Sequence, residues 1–138
     1  MSIYRGILSI LNADGSFPTA IGTDSDSNIK VYPIFPTRQV ATPFVAMKID
    51  NQLGNPTKDA VSAVDQISFS FRVYGDNLDT IISISDALIT AIDKTAKGTY
   101  DTVPIGSIDF ESYRDDFIYF EGQNTPLLYR ELTFEIWA

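Results

Sequence analysis

From Gln66 to Tyr74, apolar Ile67, Phe69, Phe71 and Val73 alternate with Gln66, Ser68, Ser70, Arg72 and Tyr74, the period of two that a strand with one buried face requires. A few residues on, Leu78, Ile81, Ile82, Leu88, Ile89 and Ile92 recur at spacings of three and four, which places them on one side of a helix. Each stripe needs an apolar cover, and laying the helix across the apolar face of a sheet containing that strand buries both. Asp76 is placed to cap the helix N-terminus and Asp79 follows near its positive end. Lys94 and Lys97 sit near its negative end, and Gly98 suits a left-handed stop.

The rest of the chain is organised around that unit. Ile3, Ile7, Ile10 and Leu11 share one helical face from Ser2 to about Asn12, and Asn12-Ala13-Asp14-Gly15 ends that helix with turn chemistry. Ser16 to Asn28 is rich in Gly, Ser, Asp and Pro and reads as an irregular connection with a buried anchor such as Phe17 or Ile21. Ile29 to Phe35 is strand-forming, but Pro33 lacks a ladder donor and demotes it to a short or edge strand. Val45, Met47 and Ile49 alternate against Ala46, Lys48 and Asp50 in a better strand, Phe44 to Asn51. Asn51 to Ala60 reads as a long exposed connection into the central strand. Gly98 to Pro104 turns the chain into a strand from Ile105 to Arg114, and Asp115 to Pro126 reads as a connection. Leu128, Arg130, Leu132, Phe134 and Ile136 alternate with Tyr129, Glu131, Thr133 and Glu135 in a last strand, Leu127 to Trp137. The order predicts an α+β fold over residues 1–138 as one domain: an antiparallel-dominated sheet of about five strands with two helices packed on one face.

Composition narrows the function more than the fold. A chain of 138 residues that is 44% hydrophobic suits one packed domain and argues against disorder. No apolar run approaches the roughly 18 residues of a membrane helix, and the N-terminus does not read as a signal peptide. A net charge of −8 disfavours tight binding to a phosphate backbone, whose affinity comes from clustered Lys and Arg. There is no Cys and no His, so the commonest general base, the commonest transition-metal ligand and the best nucleophile are all missing.

The remaining chemistry is thin. Asp24-Ser25-Asp26-Ser27-Asn28 copies the first ligand positions of a calcium loop, but Ile29 stands at the turn glycine and Phe35 at the bidentate Glu, so a polar loop is the reading. Ser27-Asn28-Ile29-Lys30 matches a bare S-x-x-K with no companion motif. Asp109, Glu111, Asp115 and Asp116 are the densest acidic cluster. As an acid and nucleophile pair they would need a cleft, and period two puts Asp109 and Glu111 together on an outward face. The sequence therefore predicts no enzyme, no metal and no cofactor. Interaction surface is better represented. Phe117, Ile118, Tyr119 and Phe120 follow one another where a solvent loop would be polar, and they serve either as interface anchors or as core fill beyond a bulge at Asp115-Asp116. A Pro-bearing strand and a terminal strand are expected to leave edges that another chain can pair with.

Taken together, the N-terminal amphipathic helix, IKVYPIFP, ATPFVAMKID, the strand SFSFRVYG running into an amphipathic helix, and the closing YRELTFEIWA resemble the tail-completion or tail-terminator proteins of long-tailed bacteriophages and related prophage elements. The resemblance spans nearly the whole chain and is one of architecture, without a catalytic signature. It implies a structural virion protein that forms a six-membered ring on the head-proximal end of the tail, assembled in the host cytoplasm. Its implied partners are further copies of itself, the tail tube protein and the head-tail connector or stopper, with DNA passing through ungripped and no membrane involved. Asn51, Gln52, Leu53, Asn55 and Lys58 in one connection, and Phe117 to Phe120 in the other, are the expected contact residues. The alternatives of other classes are another neck or connector protein, a carboxylate-dependent enzyme and a small α+β binding module.

Overall fold

The computed structural model describes residues 3–36, 40–53, 66–119 and 125–137. Helix α1, Ile3–Ala13, buries Ile7, Ile10 and Leu11 as its spacing predicts. The connection after it is not wholly irregular. The Asp14 carboxylate accepts the backbone N–H groups of Ser16 (3.0 Å) and Phe17 (2.8 Å), which starts a short helix α2, Phe17–Ile21. Both expected anchors, Phe17 and Ile21, are buried.

Five strands form the main sheet: β1 (Val31–Pro33), β2 (Phe44–Leu53), β3 (Gln66–Gly75), β6 (Ser107–Ile118) and β7 (Leu127–Trp137). Their spatial order is β1-β2-β3-β7-β6, antiparallel throughout except for the parallel β1–β2 pair. The terminal strand β7 is thus not an edge, because β3 and β6 pair with it on both sides; the edges are β1 and β6. On one face Phe69, Phe71 and Val73 of β3 and Leu132 and Phe134 of β7 are fully buried beneath the helices, and the rings of Phe69, Phe71 and Phe134 pack together with centroids 5.5–5.6 Å apart.

Helix α3, Leu78–Ile92, runs across β3 and β7, with Ile81, Ile84, Leu88 and Ile92 in the same core. Its N-cap is Asn77, whose side-chain oxygen accepts the Asp79 N–H at 2.8 Å, and not Asp76. The Asp76 carboxylate is committed elsewhere, accepting the Thr42 hydroxyl at 2.7 Å. The left-handed residue after the helix is Lys94 (φ 61°), not Gly98. The chain must turn there because the Lys94 N–H donates to the Ile108 carbonyl and the Asp93 carboxylate accepts the Phe110 N–H. Gly98 opens a hairpin instead, β4 (Gly98–Tyr100) and β5 (Val103–Ile105), where only a turn was expected. Asp101 and Thr102 at its tip both have positive φ, a conformation costly for a β-branched residue. Arg5 of α1 holds them there, bonding the Asp101 carboxylate (3.1 Å), the Asp101 carbonyl (3.3 Å) and the Thr102 hydroxyl (3.5 Å).

Candidate interaction surface

Strand β6 carries a bulge, but at Glu111 and not at Asp115-Asp116: Phe110 pairs with Phe134 and Ser112 with the next residue of β7, Thr133. The extra residue shifts the phase of alternation. Ile108 and Phe110 point to the helix side before it, and Tyr113, Asp115 and Phe117 point there after it, opposite Leu132, Arg130 and Leu128. By then the strand has run beyond the cover of α3. Phe117, Ile118 and Tyr119 are 54%, 36% and 58% exposed, so they belong to neither apolar cluster. Phe117 and Ile118 are strand residues, not loop residues, and the Phe117 and Tyr119 rings meet edge to face at 5.7 Å.

A rigid bracket holds this strand end. Arg130 is bidentate to Asp115, with Nε to Oδ1 at 2.7 Å and Nη2 to Oδ2 at 3.0 Å, and its guanidinium lies 4.3 Å from the centre of the Tyr113 ring. The bonds from Arg130 keep the Asp115 carboxyl below its usual range, and in return Asp115 raises Arg130. That is the reverse of what a general acid requires. The rest of the acidic cluster is dispersed: Glu111 is the bulged residue, Asp109 pairs with Glu135 across the ladder, and Asp116 lies on the opposite face from Asp115, opposite Tyr129.

The helix-free face, expected to be wet, divides in two. One part is a polar ladder in which Glu131 takes Arg72 (2.8 Å) and Arg114 (3.6 Å), while the buried Ser70 hydroxyl donates to Asp50 (3.2 Å). The other is a second apolar cluster, Phe44, Ala46, Tyr74, Leu127 and Tyr129, that sequence reasoning missed. Phe35 packs edge-on against both Phe44 (5.6 Å) and Tyr74 (5.8 Å), and Arg72 lies over Tyr129 at 4.7 Å. The available signal was Tyr74 and Tyr129, bulky aromatics on the polar phase of two alternating strands. Beside this cluster, at the β1 end, Ile34 and Phe35 remain 71% and 39% exposed.

The predicted contact residues fall at different places. Asn51, Gln52 and Leu53 are the last residues of β2, paired with Ser68, Ile67 and Gln66, rather than the start of a loop. They lie at the end of the sheet away from Phe117, since Phe117 belongs with Leu128 and Gly75 at the other end. Asn55, Lys58 and Phe120 lie outside the described residues. The calcium-like loop is a self-bonded turn: Asp24 Oδ1 accepts the N–H groups of Asp26 (2.9 Å) and Asn28 (3.2 Å), and its Oδ2 accepts the Tyr32 hydroxyl (2.9 Å). Among the described residues, no helix is long and apolar enough to cross a membrane.

The molecule is therefore an α+β protein with helices on one sheet face and an apolar, bracketed strand end at one sheet edge. No protein-family model matches the sequence, and no curated protein matches it. Among solved structures, a chain of the virion of the native gene transfer agent (GTA) particle is similar over 99% of this chain and 93% of its own length, with a TM-score of 0.70 and 17% sequence identity. At that identity the likeness is one of fold.

Proposed function

We propose that the chain is a structural protein of a phage-like virion, and within it the tail terminator: a subunit of a ring, six-membered by the resemblance, on the head-proximal end of the tail tube. There it stops tube polymerisation and offers the surface to which the head connector joins. The observation that carries the reading is the end-to-end likeness of fold to a chain of the GTA virion. The exposed aromatic end of β6 supports it, since an apolar edge-strand terminus that no core uses is a liability for a lone domain and an anchor for an assembling one. Asp115, one of the four carboxylates of the acidic cluster, is held in an ion pair and the other three are dispersed along the strand, which favours a structural role over a carboxylate-dependent enzyme.

The test is assembly. Purified protein, sized by light scattering and imaged by negative-stain microscopy, should form closed rings, and added to polymerising tail tube protein of the same particle it should cap tubes and halt their growth. Rings that bind the portal-side connector but leave tube growth unchanged would assign the chain to the neck instead. Replacing Phe117 and Tyr119 with Ser should weaken assembly by several kcal/mol, at roughly 2 kcal/mol or more for each buried anchor, while circular dichroism stays that of wild type.

A further inference from the structure

Part of the outer edge of β6 is already covered. The chain leaving α3 lies along it, with the Lys94 N–H donating to the Ile108 carbonyl (2.8 Å), the Ile108 N–H to the Thr95 carbonyl (3.2 Å) and the Phe110 N–H to the Asp93 carboxylate (2.9 Å). Ile108 and Phe110 therefore turn their backbone groups away from β7. In an antiparallel ladder that orientation alternates, and the β7 partners Ile136, Phe134, Leu132, Arg130 and Leu128 continue it without a break. Past the bulge at Glu111 the outward groups are thus those of Tyr113, Asp115 and Phe117. No described strand lies beside them, and residues 111–119 are all exposed. The Phe117 N–H donates to the carboxylate of its own neighbour, Asp116, at 2.8 Å, a side chain standing where a strand would.

The open stretch runs from Ser112, after the bulge, to Ile118, where the strand ends, and its midpoint is Asp115. A second copy turned by a two-fold rotation about that midpoint lays the same stretch antiparallel to the first. Outward groups then meet outward groups, Tyr113 with the second copy's Phe117 and Asp115 with the second copy's Asp115, for about six backbone bonds. The side chains agree with this register. On the helix side Tyr113 and Phe117, 56% and 54% exposed, stand opposite each other at both ends. On the helix-free side Arg114, whose side chain is 62% exposed, stands opposite Asp116. At the centre each Asp115 carboxylate is held toward β7 by its own Arg130, so no unpaired charges face each other. Moving the axis by one residue either way sets Arg114 against Arg114 or Asp116 against Asp116, which like-charge repulsion opposes.

We propose that two copies of this chain join through β6 across this two-fold axis, so that their sheets run on as one. A two-fold contact does not close a ring, so this one is additional to the ring reading above and does not depend on it. Asp116 serves both states. In the single copy its carboxylate caps the Phe117 N–H. In the pair that N–H donates to the second copy's Tyr113 carbonyl, and the carboxylate turns to the second copy's Arg114.

Hydrogen exchange and sedimentation of the full chain test this. Raising the concentration should slow exchange at the Tyr113, Asp115 and Phe117 amides by roughly tenfold or more, because a ladder bond closes on each. Arg114→Glu and Asp116→Arg, made separately, each set like charges opposite one another on both sides of the axis and should weaken pairing by roughly tenfold. The two changes made in one chain should restore it, as should mixing the two single variants one to one. Circular dichroism should stay unchanged. Should a charge variant fail to fold, Tyr113→Pro removes an outward donor that β7 does not use, and it should abolish the protection at Asp115 and Phe117. Exchange at these amides that ignores concentration, or a double variant as weak as the single ones, would overturn the pairing. Rings that form while these amides stay unprotected would overturn it too and leave the ring reading standing. Protection in a chain that never closes into rings would uphold the pairing and count against the ring alone.

Discussion

The hydroxyl of Tyr4, in the first turn of α1, accepts the backbone N–H of Ile49 at 3.0 Å, one residue before the β2 bulge at Asp50. A helix side chain thus satisfies a donor on β2 where, on the flank away from β3, β1 no longer reaches and no strand lies beside it among the described residues. Tyr4→Phe keeps the ring and removes the acceptor. It should cost about 1–2 kcal/mol in chemical denaturation, and hydrogen exchange should quicken at Ile49. Unchanged exchange there would mean that the bond contributes nothing.

Gly6 is needed for its lack of a side chain. A methyl group there would collide with Ile105 of the β4–β5 hairpin and lie 3.2 Å from the Val103 Cβ. In an open helix Gly→Ala would gain about 1 kcal/mol, but here overpacking should outweigh it and leave a net loss of about 1–2 kcal/mol. Shortening the obstacle with Ile105→Val should recover part of the loss, which a double-mutant cycle would measure.

Phe71 is fully buried between the rings of Phe69 and Phe134. Phe71→Ala should cost ~3–5 kcal/mol as a core cavity. A loss below ~1 kcal/mol in urea unfolding would contradict this placement.

The Arg130–Asp115 bracket should leave a signature in acid. Because the folded-state pKa of Asp115 is depressed by the bonds from Arg130, its contribution is complete above the ordinary carboxyl range and fades as pH falls from about 5 through the folded pKa. The pair is partly exposed, so the effect on global stability should stay under about 1 kcal/mol. Asp115→Asn should lower the melting temperature slightly at pH 7 and by progressively less as the pH falls, and a difference that stayed constant into acid would assign it to packing.

Asp24 spends its carboxylate on Asp26, Asn28 and Tyr32. Calcium at millimolar concentration should therefore leave the melting temperature unchanged, and Asp24→Ala should cost about 1 kcal/mol through the lost turn. Micromolar calcium binding by calorimetry, abolished in Asp24→Ala, would refute this.

The long periodic elements were legible because a single stripe decides each of them: Ile67, Phe69, Phe71 and Val73 are buried as their alternation requires, and Ile81, Leu88 and Ile92 of the helical stripe with them, whereas Leu78 at the helix start is 47% exposed and Ile84, outside the predicted stripe, is buried. What the sequence hid is decided by distant partners. Asp76 and Asn77 are both good caps, and Thr42, some thirty-four residues away in sequence, settles which of them caps the helix. The β4–β5 hairpin was missed because its tip depends on Arg5. No alternation reveals which strand lies at an edge, so β7 read as one and proved central. At the interaction surface the bulky run from Phe117 was visible, but its direction was not, since that depends on the bulge at Glu111.

That bulge separates what the strand end carries from where it is aimed. Without Glu111, Ser112 and its successors could keep their β7 partners, because the pairing resumes at the adjacent residue of β7. The strand would lose only its local bend and extra twist. Deleting one residue should thus swing the Phe117–Tyr119 tip to a new bearing with its chemistry intact, a steering change that no substitution within the tip can produce.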